Sequence, residues 1–387
     1  MRIVDIHERS IAISRYGDPA IPSGGLTTSM VAIVTDVVRE GRPVTGYGFG
    51  SIGRFAQGGL IRERFAPRLL AAADGALADA DGANLDPFRA WAVMMAGEKP
   101  GGHGERCVAV GALDMAIWDA AAKIAGLPLY RFLARRLGRG EALPDRVPVY
   151  AGGGYAYPRD DLACLADEMR RLVDLGYTRA KIKIGGAALT QDLKRVEAAA
   201  AVLGGGATLA VDAMNSHSPE AGLAAAAALA PFDLWWFEDI CDPLDFPAQA
   251  AIAAAYPGPI AAGEALFSAA EARLLALYGG LRPQRDVLLF DPAHCYGLPG
   301  YLKVIDQMLA AGWPRQAFWP HGGHLFTQHV VAALGLGGAE VNPLCFQPFG
   351  GLADDAPVAD GLAPLPQRPG IGFEGRETLY RMVRSLH

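Results

Sequence analysis

The sequence has few of the features that mark secreted, membrane-spanning or nucleic-acid-binding proteins. Its five cysteines are odd in number and form no CxxC pair, so we expect free thiols in a reducing compartment rather than a disulfide framework. No apolar run approaches the roughly 18 residues that a membrane-spanning helix needs. The opening residues MRIVDIHERS carry Asp5 and Glu8 where a signal peptide has an apolar core. We therefore expect a cytoplasmic protein that does not enter a membrane.

The chain also lacks an excess of positive charge. It has 35 Lys and Arg against 41 Asp and Glu, for a net charge of −6, and the basic residues are scattered. This distribution excludes nucleic acid and anionic membrane surfaces as expected partners. An anionic small molecule would need a local pocket of basic groups. The 387 residues, of which 51% are hydrophobic, are enough for a barrel and one smaller domain.

Hydrophobic patterning divides the chain into three parts. Residues 1–136 predict an α+β domain, with an antiparallel meander over 2–14, 29–38 and 44–49 and helices over 60–72, 86–97 and 107–126. Residues 147–350 alternate short strands with helices, which predicts a parallel (β/α) barrel. Residues 351–387 are irregular and are expected to fold back on the first domain. The barrel strands are predicted at 147–151, 179–184, 207–212, 234–239, 259–264, 286–291, 316–320 and 341–347.

The barrel helices have recognisable start signals. They are predicted at 160–175, 189–203, 219–230, 246–255, 269–278, 299–311 and 325–335. Ser218 precedes a proline at the first helical position, and Ser268 has a glutamate three residues later, as in a capping box.

Six polar residues end successive apolar runs of the barrel region. They are Lys183, Asp212, Glu238, Glu264, Asp291 and His321. Neighbouring members lie 26 to 30 residues apart, about the length of one strand and one helix. The spacing therefore predicts one polar group at the end of each strand, where barrel enzymes carry their catalytic groups.

The three acids Asp212, Glu238 and Glu264 are predicted metal ligands. Three carboxylates from successive strands would repel one another unless a cation lay between them. Oxygen-only ligation favours Mg²⁺ first and Mn²⁺ second. The alternative is that strand-end acids cap the following helices or pair with arginines, but three acids on one interval favour the metal.

Two nitrogen bases are predicted to face the metal. Lys181 and Lys183 lie two residues apart in a strand, so both point the same way, and neighbouring ammonium groups depress each other's pKa. His321 has Asp291 on the neighbouring strand, and such a carboxylate orients an imidazole and raises its basicity. A structural histidine and a pair of surface lysines are the alternatives. Facing each other across a metal, the bases suit removal of a proton alpha to a carboxylate.

At these residues the chain resembles the enolase superfamily, mandelate racemase subgroup, and more closely its D-tartrate dehydratase group. The stretches that carry the resemblance include EKPGGHGER, KIKIGG, HGGH, FQPFGG and PGIGFEG. The resemblance implies a modified TIM (β/α) barrel with an N-terminal capping domain, Mg²⁺ and assembly into homo-oligomers. It implies Lys183 and His321 as the acid/base pair, with Asp291 beside the histidine. It further implies that Lys99 reaches the distal carboxylate of the substrate, Lys181 lies against the metal-bound carboxylate, and Glu340 is an electrophilic glutamate.

The departures from this pattern concern polar residues around the substrate. Met214 stands where asparagine is usual, with Asn215 one place late, and Gly50, Ile52 and Ala265 also replace polar side chains. Reaction type therefore carries over better than substrate identity. We expect a Mg²⁺-dependent lyase that dehydrates a small anionic carboxylate, a tartrate-like hydroxy-dicarboxylate or acid sugar, to a 2-keto acid. The alternatives are a racemase or epimerase on the same site and a binding protein without catalysis.

Overall fold

The N-terminal region forms the predicted antiparallel meander. The computed structural model describes residues 1–140 and 142–386. Its first sheet has the order β1 (Ile3–Ala12), β2 (Thr27–Arg39) and β3 (Arg42–Phe49). The tight turn between β2 and β3 is made by Glu40 and Gly41, both at positive φ. Met30 and Ile33 of β2 lie three residues apart and so point to opposite faces, and both are fully buried, so the middle strand is covered on both sides.

The helices of this region include one, α4, that covers one face of the sheet. They are α1 (Gly58–Leu60) and α2 (Ala66–Leu70), joined by a π turn, then α3 (Pro87–Met95), α4 (Glu105–Ile124) and α5 (Leu129–Arg136). Helix α4 is apolar on nearly all sides and almost entirely buried, as the sequence predicts. Gly46 and Gly48 of β3 allow this contact, because a Cβ at either position would collide with the α4 backbone.

A parallel sheet with helices on its outside follows. Its strands are β4 (Arg146–Gly152), β5 (Ala180–Lys183), β6 (Leu209–Asp212), β7 (Trp236–Glu238), β8 (Ile260–Ala262), β9 (Val287–Leu288) and β10 (Ala339–Val341). Its helices are α6 (Asp161–Asp174), α7 (Leu189–Leu203), α8 (Pro219–Leu229), α9 (Phe246–Ala255), α10 (Ala269–Tyr278), α11 (Leu298–Ala310) and α12 (Leu325–Leu334). The strand order β10-β4-β5-β6-β7-β8-β9 curls the sheet into the expected modified TIM barrel. Ser218 and Ser268 accept hydrogen bonds from backbone N–H groups in the first turns of α8 and α10, as their capping signals predict.

Two of the predicted barrel strands are wrong in detail. The segment predicted as the seventh strand, 316–320, makes only one bridge, between Phe318 and Leu288. Pro320 has no N–H to donate, and residues 315–317 form a 3₁₀ turn instead of extended chain. The eighth strand is β10, two residues earlier than the predicted 341–347, because Pro343 ends the ladder. This shift places Glu340 in the middle of a strand.

The C-terminal tail contacts both parts of the molecule. Its strand β11 (Leu362–Pro364) pairs antiparallel with β4 of the barrel, and its helix α13 (Glu377–Arg384) follows. The Ile371 N–H donates to Asp119 of α4 at 2.7 Å, and Tyr380 packs against Tyr47 of β3. The domain boundaries stay a prediction.

Across residues 1–140 and 142–386, no helix is both long and apolar enough to cross a bilayer. All five cysteines are free thiols.

Candidate active site

Three carboxylates meet at the carboxyl ends of neighbouring strands. Asp212 ends β6, Glu238 ends β7, and Glu264 lies two residues beyond β8. Asp212 and Glu238 are paired in register across the parallel strands, which sets both side chains at the same level of the barrel. Each of the three offers an oxygen within 4.8 Å of the oxygens of the other two. We call this set the carboxylate triad.

The carboxylate triad fits a hard divalent cation. One oxygen of Asp212 accepts from the Met214 N–H and one of Glu238 accepts from the Trp236 indole, both at 2.7 Å, which fixes their orientation. The Oε2 atom of Glu264 is buried and has no hydrogen-bond partner among the described residues. Burial raises the pKa of Glu238 well above its usual range, as expected for a carboxylate whose charge is incompletely balanced. An orphaned buried oxygen beside two fixed carboxylates, with no sulfur or imidazole in the set, is suited to Mg²⁺ or Mn²⁺.

The two lysines of β5 contact members of the carboxylate triad. The Nζ of the fully buried Lys181 lies 2.5 Å from Glu238, 3.2 Å from Glu340 and 3.6 Å from Asp212. The Nζ of Lys183 bonds to Asp212 Oδ2. Burial opposes the charge of Lys183, but Asp212 outweighs burial and raises its pKa above the usual range. Lys181 does lower the pKa of Lys183, as predicted, but the predicted net lowering is wrong for the protein alone, because the carboxylates close to both ammonium groups outweigh this repulsion.

His321 lies at the other end of the carboxylate triad. Its Nδ1–H donates to Asp291 at 2.8 Å, and the same Asp291 oxygen accepts from the Ser51 hydroxyl at 2.5 Å. Since the ionised Asp291 can only accept, the proton of this bond belongs to Nδ1 and Nε2 is left to face the cavity. That Nε2 lies 3.7 Å from Glu264 and 4.0 Å from Glu340. The pair predicted from neighbouring strands therefore forms, with Ser51 as an additional member that no sequence pattern indicated.

The charges around His321 favour its protonated form. Burial opposes the charge, but Glu264 and the hydrogen bond that His321 donates to Asp291 outweigh burial and raise the pKa of His321 to about 9. Burial would raise the pKa of Asp291, yet the neighbouring His294 and the His321 bond hold it well below its usual range. In this state His321 can donate a proton from Nε2.

One cavity of about 190 Å³ joins these groups. Lys183, Asp212, Glu264, His321 and Glu340 line its inner part. Its outer part is lined by residues of loops and turns, among them Arg15, Ile52, Arg54, Tyr155, Met214, Asn215, Asn342 and Phe346. The two arginines come from the Gly-rich loops after β1 and β3. The sequence pattern places Gly50 and Ile52 of the second loop around the substrate, but it indicates neither arginine as a ligand contact.

Lys99 is not brought to this cavity. It lies exposed after α3, on the wall of a second cavity of about 230 Å³ that also includes Trp91, Tyr296 and Lys303. Lys181 is also absent from the cavity wall, because Glu238 and Glu340 cover its ammonium group. Of the three predicted substrate contacts, only Glu340 lines the first cavity.

Comparison with known proteins agrees with this geometry. The chain matches the model of the enolase C-terminal domain-like family over residues 164–379. A 3,6-anhydro-alpha-L-galactonate cycloisomerase from Streptomyces coelicolor is 31% identical over 284 residues, which are 73% of this chain and 72% of the relative. An arabinonate dehydratase from Saccharolobus solfataricus is 27% identical over 289 residues, 72% of this chain and 73% of the relative.

A solved structure extends the likeness to the whole fold. The L-talarate dehydratase of Polaromonas sp. JS666, crystallised with Mg and L-glucarate, is 26% identical with a TM-score of 0.72. The superposition covers 96% of this chain and 94% of that one. The family match spans more than half of the sequence and includes the carboxylate triad, Lys183 and His321. The chain therefore belongs to the enolase superfamily, in the group related to mandelate racemase.

Proposed function

We propose that the protein is a Mg²⁺-dependent dehydratase of a small hydroxy-dicarboxylate or acid sugar, with a tartrate-like α,β-dihydroxy acid as its simplest substrate. One observation carries the proposal: two basic side chains flank the carboxylate triad, Lys183 at Asp212 and His321 at Glu264. Neither base is needed to hold a cation. The dehydratases of acid sugars among its relatives support the same reaction class.

In this proposal the carboxylate triad holds Mg²⁺ and Lys181 balances the charge beneath it. When bound, the ion supplies positive charge that stabilises the substrate carboxylate as it gains negative charge and opposes protonation of Lys183. The contacts of Lys181 with Glu238 and Glu340 suit a fixed ammonium that offsets part of their negative charge. Glu340 lines the cavity, where it can hydrogen-bond the substrate.

The chemical step uses the two nitrogen groups as base and acid. Lys183, in its neutral form, takes the proton alpha to the carboxylate, and the released electron pair forms a double bond to the β carbon. The β-hydroxyl leaves with the Nε2 proton of His321 as water. Asp291 stabilises and orients the imidazole during this transfer. The enol that remains tautomerises to the 2-keto acid. A substrate of the opposite α configuration would exchange the roles of Lys183 and His321.

The experiment is incubation of the Mg²⁺-loaded protein with a panel of acid sugars, followed by trapping of 2-keto acids with semicarbazide. We expect keto-acid formation from at least one member, lost on chelation of the metal. The matched variants are Lys183→Ala and Lys194→Ala, since Lys194 lies exposed on α7 outside the cavity. Absence of keto acid from every member, with protein shown to bind Mg²⁺, contradicts the proposal.

A racemase or epimerase is the second candidate. It is favoured by the same two bases, because a proton taken on one face can be returned on the other without loss of a leaving group. The measurement is ¹H NMR of the substrates in D₂O. Loss of the α-hydrogen signal without keto acid would replace the dehydratase with the racemase, whereas keto-acid formation with deuterium only in the product supports the dehydratase.

A further inference from the structure

Two arginines at the outer end of the cavity lack acidic partners. Arg15 lies in the loop between β1 and β2, and Arg54 lies in the loop after β3. Among the described residues neither has a carboxylate within 4.0 Å. Within residues 1–140 and 142–386, the Arg15 guanidinium donates only to the Ser23 carbonyl, at 3.3 Å, and that of Arg54 makes no hydrogen bond. Both side chains are half-buried, so their charges are partly removed from water.

Three other arginines that are partly buried have carboxylate partners. Arg195 bonds to Asp161, Arg282 to Asp286, and Arg106 to Glu98. These pairs leave little positive charge available for a ligand. Arg15 and Arg54 differ from these three in having donors that remain available on the wall of the cavity that holds the carboxylate triad.

Aromatic rings hold both arginines in position. The Arg54 guanidinium lies 4.8 Å from the centre of the Phe267 ring, and that of Arg15 lies 5.8 Å from the centre of the Tyr155 ring. Stacking on a ring limits the motion of a guanidinium while its N–H groups stay available. The donors are thus oriented before a ligand arrives, which lowers the entropy lost on binding.

We propose that Arg15 and Arg54 form a second anion subsite, and that the substrate is therefore a hydroxy-diacid rather than a hydroxy-monoacid. This rests on the proposed function, in which the first carboxylate binds at the carboxylate triad. The cavity has cation-binding chemistry at its inner end and two guanidinium groups at its outer end. A ligand with a carboxylate at each end satisfies both, because a planar guanidinium binds a carboxylate through two parallel hydrogen bonds.

The apolar residues of the cavity point to the same class. Ile52 and Met214 line the wall where side chains with hydrogen-bonding groups could have contacted hydroxyls. Asn215 and Asn342 remain on the wall to contact hydroxyls, and the far carboxylate adds to that recognition. We expect a diacid to bind more tightly than the monoacid of the same hydroxyl configuration.

The test compares diacids and monoacids of equal chain length on the Mg²⁺-loaded protein. The probes are galactarate with galactonate, glucarate with gluconate, and tartrate with threonate, measured by titration calorimetry and by keto-acid formation. We expect the best diacid to bind about 10- to 100-fold more tightly than its monoacid, as for one charged hydrogen-bonded pair. Arg54→Met should remove most of that ratio, with little change for the monoacid. Arg273→Met, on the exposed face of α10, is the matched control and should leave the ratio unchanged.

The outcomes separate this proposal from the dehydratase proposal. Equal binding of diacid and monoacid by the wild type, or an equal loss of both in Arg54→Met, overturns the subsite. Failure of every diacid to bind also overturns it. Tight diacid binding that depends on Arg54, without turnover of any probe, retains the subsite and overturns the dehydratase. Arg15→Met provides a second variant in case Arg54→Met folds poorly.

Discussion

The inner and outer halves of the cavity are built by different means. The inner half consists of side chains at strand ends, such as Asp212, Glu238 and His321, that are buried and held by hydrogen bonds or ion pairs. The outer half consists of side chains from loops and turns, such as Arg15 and Arg54, that are half-buried and held by aromatic stacking. The difference indicates that the barrel fixes the reaction while the loops select the substrate.

The inner half should account for nearly all of the rate. Lys183→Ala and His321→Asn should each lower kcat about 10³-fold or more, since each removes one proton-transfer group. Mg²⁺ affinity should change far less, because neither residue belongs to the carboxylate triad. Steady-state kinetics and metal titration check this. A tenfold or smaller loss of kcat in both variants would remove the distinction between the two halves, and Lys194→Ala is the matched control.

The carboxylate triad should lower the stability of the folded protein until a cation binds. Glu264→Gln should raise the metal-free melting temperature, because it removes one of three repelling charges, an effect of roughly 1 kcal/mol. Mg²⁺ at 100 times its Kd should stabilise the wild type by about 2.7 kcal/mol and the variant by much less. Thermal unfolding with and without Mg²⁺ measures both. An unchanged Mg²⁺ response in Glu264→Gln would show that the ion binds elsewhere.

Ser51 connects the two halves of the cavity. It lies in the loop after β3 that also carries Arg54, and its hydroxyl donates to Asp291 of the barrel. Ser51→Ala should lower kcat about tenfold with little change in KM, since it removes one charged hydrogen bond from the group that orients His321. The pH dependence of kcat should shift as well, which a purely structural role would not cause. Ser10→Ala, on the exposed face of β1, is the control. A change in KM alone would contradict a positioning role for Ser51.

A buried histidine outside the cavity should affect stability and leave activity at neutral pH unchanged. His329 accepts from the Tyr130 N–H and donates to the Ile371 carbonyl, and burial lowers its pKa to about 4. The unfolded chain binds this proton near pH 6.5, so the stability from His329 is complete above that pH and is lost as pH falls from 6.5 to 4, by up to about 3 kcal/mol. Denaturant unfolding across this range should give a weaker pH dependence for His329→Gln. Equal slopes in the two proteins would contradict the assignment.

The sequence predicts the inner half well because its signals are periodic. The interval between Asp212, Glu238 and Glu264 follows from one strand and one helix per repeat, and the parallel register then brings the three together. The barrel helices are located almost to the residue, since apolar periodicity and N-caps such as Ser218 agree, whereas α5 of the N-terminal region is not predicted. The seventh and eighth strands are misplaced where Pro320 and Pro343 interrupt the backbone ladder, which hydrophobicity alone does not indicate.

The outer half could not be predicted, because loop geometry determines which side chains reach the cavity. Arg15 and Arg54 lie among glycines and carry no periodic signal, whereas Lys99 was selected by resemblance and lies at a different cavity. The sequence predicts a lowered pKa for Lys183, whereas the structure raises it, and the reason is related. Spacing along β5 shows that two ammonium groups are neighbours, but it does not show how close Asp212 lies to both.

The most direct test of the account is the position of the metal in a crystal grown with Mn²⁺, located by its anomalous scattering. The account predicts one strong peak coordinated by Asp212, Glu238 and Glu264, with Lys183 and His321 on either side of it. A peak at the neighbouring cluster of Asp291, His294 and His321 instead would contradict it, because the predicted acid would then be a metal ligand.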